Sequence, residues 1–77
     1  MPRSSATPID IEFGRRVREA REQLGRRREW VAVELDVSVA AVTQWENGLR
    51  RPPLDRCRQL AALLGTTVGA LTDEDAA

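Results

Sequence analysis

The chain contains no histidine and no lysine, only one cysteine, and no formal net charge. Without histidine it lacks the commonest general base and the commonest metal ligand. Nothing else takes that place: no nucleophile sits beside a base, no acid or thiol cluster has metal-ligand spacing, and no glycine-rich phosphate loop occurs. An enzyme, a metal site and a cofactor are therefore not expected. The single Cys57 excludes an internal disulfide and reads as a small buried hydrophobe rather than a redox sensor. No apolar run approaches the roughly 18 residues of a membrane span, and no secretion signal is recognisable, so no membrane partner and a cytoplasmic location are expected. The lack of lysine makes all 12 positive charges arginines, a bias that a GC-rich coding sequence explains without any appeal to function.

Zero net charge argues at first against a nucleic-acid partner, but the charges are unevenly spread. Every arginine lies at or before Arg58, whereas Asp73, Glu74 and Asp75 stand together near the end, so residues 1–58 carry a net +3. Clustered guanidiniums, rather than the overall balance, are what meet phosphates.

The 77 residues suffice for one small domain; a chain of this size buries only about 60% of its unfolded surface, which makes oligomerisation plausible. Residues 1–8, rich in Ser and Pro, read as a flexible arm, 9–72 as the folded domain, and 73–77 as an acidic tail. The apolar spacing predicts a helix from about Asp10 to Leu24, with Phe13, Val17, Ala20 and Leu24 on one face, closed by Gly25. A second runs from Arg28 to Leu35 and turns Val31, Ala32 and Leu35 inward. Asp36-Val37-Ser38 breaks the pattern: Asp tolerates left-handed backbone, and Ser38 is a good N-cap. A third helix, from Val39 to Asn47, carries Ala41, Val42 and Trp45 inward and ends at Asn47-Gly48. Paired prolines at 52 and 53 pre-set a fourth, Leu54 to Leu64, with Leu54, Cys57, Leu60, Ala61 and Leu64 at helical spacing. Thr67 caps a last short helix reaching Leu71. The fold class is all-α with five helices, and the second and third form a helix-turn-helix, a unit whose second helix commonly lies in a DNA major groove.

Val17-Arg18 with Arg21, Gly25, Val31-Ala32, Val37-Ser38, Val42, Trp45-Glu46-Asn47-Gly48, Pro52 and Leu60-Ala61 through Leu64-Gly65 stand in the order of a known signature. Over Phe13 to Leu71 the chain resembles the phage-repressor (Cro/C1-type, XRE) helix-turn-helix family. The resemblance implies a compact lambda-repressor-like domain that binds double-stranded DNA. It implies a bacterial or phage transcriptional repressor, nucleoid-associated, that sits on an inverted-repeat operator as a homodimer. It implies a structural ion pair between Arg21 and Glu46, and base contacts from Val39, Ala40, Thr43 and Gln44. Phosphate contacts would come from Arg26, Arg27, Arg28, Ser38, Asn47, Arg50 and Arg51, which bracket the third helix. The dimer interface would be C-terminal: Leu64, Thr66, Val68 and Leu71.

Three departures from the family pattern bear on function. Arg26, Arg27 and Arg28 replace a core apolar residue, an N-capping Thr or Ser, and a Gln. Arginines at a helix N-terminus oppose the macrodipole at a cost of roughly 0.3–1 kcal/mol each, which suits residues retained for phosphate. Among the base-contacting positions only Gln44 can make a bidentate contact, best suited to adenine, so specificity would rest on few bases and on DNA shape. Finally, Trp30 and Val33 are apolar where the family is usually polar. Either Trp30 packs on Ile9 or Ile11, or the two residues form an exposed patch. The second case supports an alternative function, a helix-turn-helix-fold protein-interaction module such as an antitoxin or regulator partner.

Overall fold

The computed structural model describes residues 8–72, and the side chains of residues 10–72. Five helices follow one another: α1 (Pro8–Gln23), α2 (Arg28–Leu35), α3 (Val39–Glu46), α4 (Leu54–Leu64) and α5 (Val68–Thr72). No strand occurs among the described residues, and none of their helices is long and apolar enough to cross a membrane. The expected acidic tail and all of the expected arm except Pro8 lie outside them. Pro8 is the first residue of α1 rather than the last of an arm. Its missing N–H and preset φ suit that position.

Local chemistry sets the α2–α3 angle. Asp36 adopts left-handed backbone at φ 57, which lets the Val37 N–H return 2.9 Å to the Ala32 carbonyl. The Ser38 hydroxyl then accepts the Ala41 N–H at 3.0 Å, capping α3. At the far end Gly48 has φ 76, and the Leu49 N–H donates to the Gln44 carbonyl at 2.9 Å. This is the turned-back C-terminus that a left-handed residue permits.

Phe13 and Val17 of α1, Val31, Ala32 and Leu35 of α2, Val42 and Trp45 of α3, Cys57, Leu60, Ala61 and Leu64 of α4, and Leu71 of α5 form one buried cluster. Full burial of each larger side chain contributes roughly 1.5–3 kcal/mol. Burial pushes the Cys57 thiol above its ordinary pKa, opposed in part by the charge of Arg51. Its S–H donates to the Pro52 carbonyl at 3.3 Å.

Four expectations are corrected here. Leu24 is 47% exposed and Leu54 56% exposed. Leu24 lies past the end of α1, whose buried stripe runs instead from Phe13 through Val17 to Arg21. Leu54 is the first residue of α4, which reaches the core only from Cys57 onward. Leu64 and Leu71, expected at a dimer interface, are almost wholly buried in the domain's own core. The reason is that α5 packs against both α1 and α4. Arg16 reinforces this by donating to the Ala70 carbonyl at 3.3 Å. Thr66 and Val68 remain half-buried.

Trp30 is half-buried against the core, with the Arg26 guanidinium 4.8 Å above its ring. Ile11 lies at the other end of α1, about 20 Å along the helix axis from the α1–α2 loop, against Gly48. Ile9 has no described side chain.

One position in α1 admits no side chain. A Cβ at Gly14 would fall 2.4 Å from the carbonyl oxygens of both Trp45 and Glu46, so the α1 backbone lies directly on the end of α3. Gly25 has φ 69 and open space around it. Gly14→Ala is expected to destabilise by about 1–3 kcal/mol or more through overpacking, against about 1–2 kcal/mol of backbone strain for Gly25→Ala. Urea unfolding followed by tryptophan fluorescence checks the order; an equal or smaller loss for Gly14→Ala contradicts the close approach.

Candidate nucleic-acid interface

The interface begins with a buried charge. Along α1 the inward stripe passes from Phe13 and Val17 to Arg21; along α3 it passes from Val42 and Trp45 to Glu46. The Glu46 side chain is 0% exposed. Arg21 meets it with both prongs of one guanidinium edge, Nε to Oε2 at 2.6 Å and Nη2 to Oε1 at 3.1 Å. The remaining Arg21 nitrogen, Nη1, donates to the Arg26 carbonyl at 2.8 Å and so closes the α1–α2 loop. Arg28 adds its Nε to Glu46 Oε1 at 3.0 Å. Hydrogen bonding to Glu46 pushes the Arg21 guanidinium further up in pKa, and its burial acts the other way. Among the described residues no buried side-chain nitrogen or oxygen lacks a partner.

This junction holds α3 with its outer face open. Val39 and Ala40 are exposed, and Thr43 and Gln44 are half-exposed. The Ser38 hydroxyl accepts the capping bond and keeps its own proton to donate.

At the N-terminal end of α3, a cleft of about 340 Å³ is lined by Arg18, Arg21, Glu22, Arg27, Arg28, Glu29 and Val39. Arg27 stands at the N-cap of α2 without a side-chain capping bond, so the uncapped, positive end of that helix borders the cleft. Arg18 pairs with Glu22 at 3.1 Å. At the other end, a cleft of about 270 Å³ includes Gln44, Arg50, Arg51 and Arg56 above Val37, Ala41 and Trp45.

The seven residues expected to meet phosphate are therefore differently placed. Arg26, Arg27, Arg50 and Arg51 are exposed, as are Ser38 and Asn47, while Arg28 is half-buried. Arg26 covers Trp30, and Arg28 holds Glu46 while lining the first cleft. Arg51 turns toward α1, with Nε 3.5 Å from the Asp10 carboxylate and its guanidinium 4.9 Å over the Phe13 ring.

Sequence reasoning missed two arginines at the clefts. Arg18 stands three residues before Arg21 on the same helix, a spacing that could have found it. Arg56 donates to the Leu35 carbonyl at 2.7 Å and to Gln59 at 2.8 Å, tying α4 to the end of α2. No local pattern signals that tertiary contact. Val33 is 77% exposed. Trp30, one turn before it, is half-buried against the core.

Residues 12–74 match a family described as a helix-turn-helix domain. Among solved structures, the hydroxypropylphosphonic acid epoxidase from S. wedmorenis is similar at 30% identity and a TM-score of 0.76, over 91% of this chain and 36% of that one. The apo form of HppE gives 31% identity and a TM-score of 0.77, over 83% and 36%. FeII HppE in complex with substrate gives 31% and 0.76, over 82% and 37%. The chain thus spans little more than a third of the length of these structures. No curated protein sequence matches it significantly.

Removing Arg21 leaves the buried carboxylate with only the single bond from Arg28. Arg21→Met is expected to cost about 3–5 kcal/mol, the usual penalty for stranding a buried charge. Arg28→Met, which removes one bond from a side chain 35% exposed, should cost only about 1 kcal/mol. Urea denaturation of the two variants checks this, and equal losses would contradict the unequal sharing of Glu46.

Proposed function

Because the chain belongs to the helix-turn-helix domain family, we propose that it is a sequence-specific DNA-binding transcriptional regulator that lays α3 in the major groove. The observation that carries this reading is the placement of the α3 outer face between two arginine-lined clefts. Phosphates on one side of the groove meet Arg26, Arg27, Arg28 and Ser38, and on the other Asn47 and Arg50. Arg51, held by Asp10 and Phe13, supports the loop more than it reaches for phosphate. Arginine suits the task because its planar fork matches phosphate geometry.

Base reading falls to Val39, Ala40, Thr43 and Gln44. Gln44 can bond adenine N6 and N7 together, worth about 1–3 kcal/mol of discrimination. The methyl groups of Val39, Ala40 and Thr43 suit thymine. Specific operators are bound about 4–10 kcal/mol more tightly than other DNA, more than one such reader supplies. Two copies on an inverted repeat, their recognition helices about 34 Å apart, supply the difference, so the acting species is proposed to be a homodimer. Half-buried Thr66 and Val68 remain available to it. Occupancy of promoter DNA would then repress.

The similar epoxidase structures include an iron(II) form. This chain has no histidine, and among the described residues no group of three or more His, Cys, Asp or Glu could hold a metal. No epoxidase chemistry is carried over. A second reading, a protein-interaction module, rests on exposed Val33. With Trp30 half-buried against the core and partly covered by Arg26, less of that patch is open than the sequence suggests, and this reading stands behind DNA binding.

The test is fluorescence anisotropy with duplex DNA from the region upstream of the gene at two salt concentrations. Log affinity should fall with log salt at a slope of about −0.9 per neutralised phosphate, and Gln44→Ala should cost about 1–3 kcal/mol on that DNA. Binding that responds neither to salt nor to Gln44→Ala overturns groove docking.

A further inference from the structure

We infer that Glu46, although wholly buried and out of reach of DNA, is a positioning residue for phosphate binding, because it tethers Arg28 by its Nε and so presents the other edge of that guanidinium to the cleft beside Val39. The inference rests on the DNA-binding reading and deepens it. A guanidinium has two usable edges, one containing Nε and one formed by the two terminal nitrogens. Arg28 spends Nε on Glu46 Oε1 at 3.0 Å. Its side chain is nonetheless 35% exposed and lines the cleft that Val39 borders. The outer edge is left for an anion, and the tether restricts the long side chain before the anion arrives. Less rotamer freedom is then lost on binding.

Charge supports the same assignment. Glu46 is shared by Arg21 and Arg28, and Glu22 by Arg18 and, at 3.9 Å, Arg21. Arg27 and Glu29 also line the cleft and balance each other. Three guanidiniums thus face two carboxylates, which leaves one positive charge in surplus. A backbone phosphate placed there balances it. Arg28 in this arrangement spans the buried carboxylate and the phosphate with opposite edges, whereas an ammonium holds its three donors on one atom and must draw the two anions closer together to meet both.

That difference makes the inference testable with the intact chain and a mixed-sequence duplex of about three helical turns, roughly 30 base pairs, used because non-specific binding is driven by phosphate contacts. Arg28→Lys keeps the charge but has no second edge, so an ammonium bonded to Glu46 lies farther from the phosphate. The substitution should weaken binding several-fold, whereas Arg28→Gln should in addition make the log–log salt slope shallower by about 0.9. Glu46→Gln should weaken binding several-fold in the wild-type background and clearly less in the Arg28→Gln background, where only its pairing with Arg21 is left to lose, with folding of each variant checked by circular dichroism. If Arg28→Lys binds with wild-type affinity and slope, Arg28 is a plain point charge and the tether is refuted. Equal losses from Glu46→Gln in both backgrounds refute it as well. If Glu46→Gln does not fold, the Arg28→Lys comparison decides alone. Salt-dependent wild-type binding alongside an unaffected Arg28→Lys sinks this inference only, whereas absence of wild-type binding sinks the DNA reading with it.

Discussion

A carboxylate with no exposed surface is tolerable only if it is fully hydrogen-bonded and paired, and Glu46 meets that condition with three N–H donors from two arginines. The contacts between α1 and α3 converge on it. Arg21 brings α1 to the end of α3 and, through the Arg26 carbonyl, fixes the loop between α1 and α2. Gly14 lets the α1 backbone come close enough for this to happen. A purely apolar junction of the same volume could be as stable. The fork geometry of Arg21 on Glu46 instead demands one register between α1 and α3, so the outer face of α3 is held in one orientation. We read the pair as a device for specificity of structure rather than a large net source of stability.

The electrostatic pattern follows from how the acids are spent. On the outer face of α1, Arg15 pairs with Glu12 and Glu19, and Arg18 with Glu22. Such exposed pairs contribute little to stability, yet they cancel charge along that face. Positive charge remains at the start of α2 and after α3, at the two ends of the reading surface. A protein with no net charge can thus still offer a phosphate two basic clefts. On the proposed DNA-binding reading, the α3 face between them is a sparse reader, and such a division of labour suits a binder that derives most affinity from the backbone and modest discrimination from Gln44.

How much of this was legible in the sequence depended on whether the cause was local. The left-handed turn at Asp36, the Ser38 cap and the reversal at Gly48 each arise within four or five residues, and they appear where the residue types indicate. Leu24 and Leu54 fit a helical stripe but lie at helix ends, where the stripe overruns the core. Leu64 and Leu71 read equally well as core or interface until α5 is seen to fold back on α1. Gly14 looks like a weak point in a helix, and only the nearness of the α3 carbonyls explains it. The inward turn of Arg51 onto Phe13 and the tether of Arg28 are tertiary facts that leave no mark on spacing.

The central claim is that a face of α3, held by the buried Arg21–Glu46 junction and flanked by arginine clefts, is where DNA lies. Two-dimensional NMR of the ¹⁵N-labelled chain, titrated with duplex DNA, tests it most directly, since backbone amides and the Nε–H groups of Arg21 and Arg28 are followed together. The account predicts shifts concentrated at Arg27, Arg28, Val39, Ala40, Thr43, Gln44 and Arg50, with the Nε–H of Arg21 still held by Glu46 throughout. Shifts centred instead on Val33 and the outer face of α2, or loss of the Arg21 signal while the domain stays folded, would contradict it.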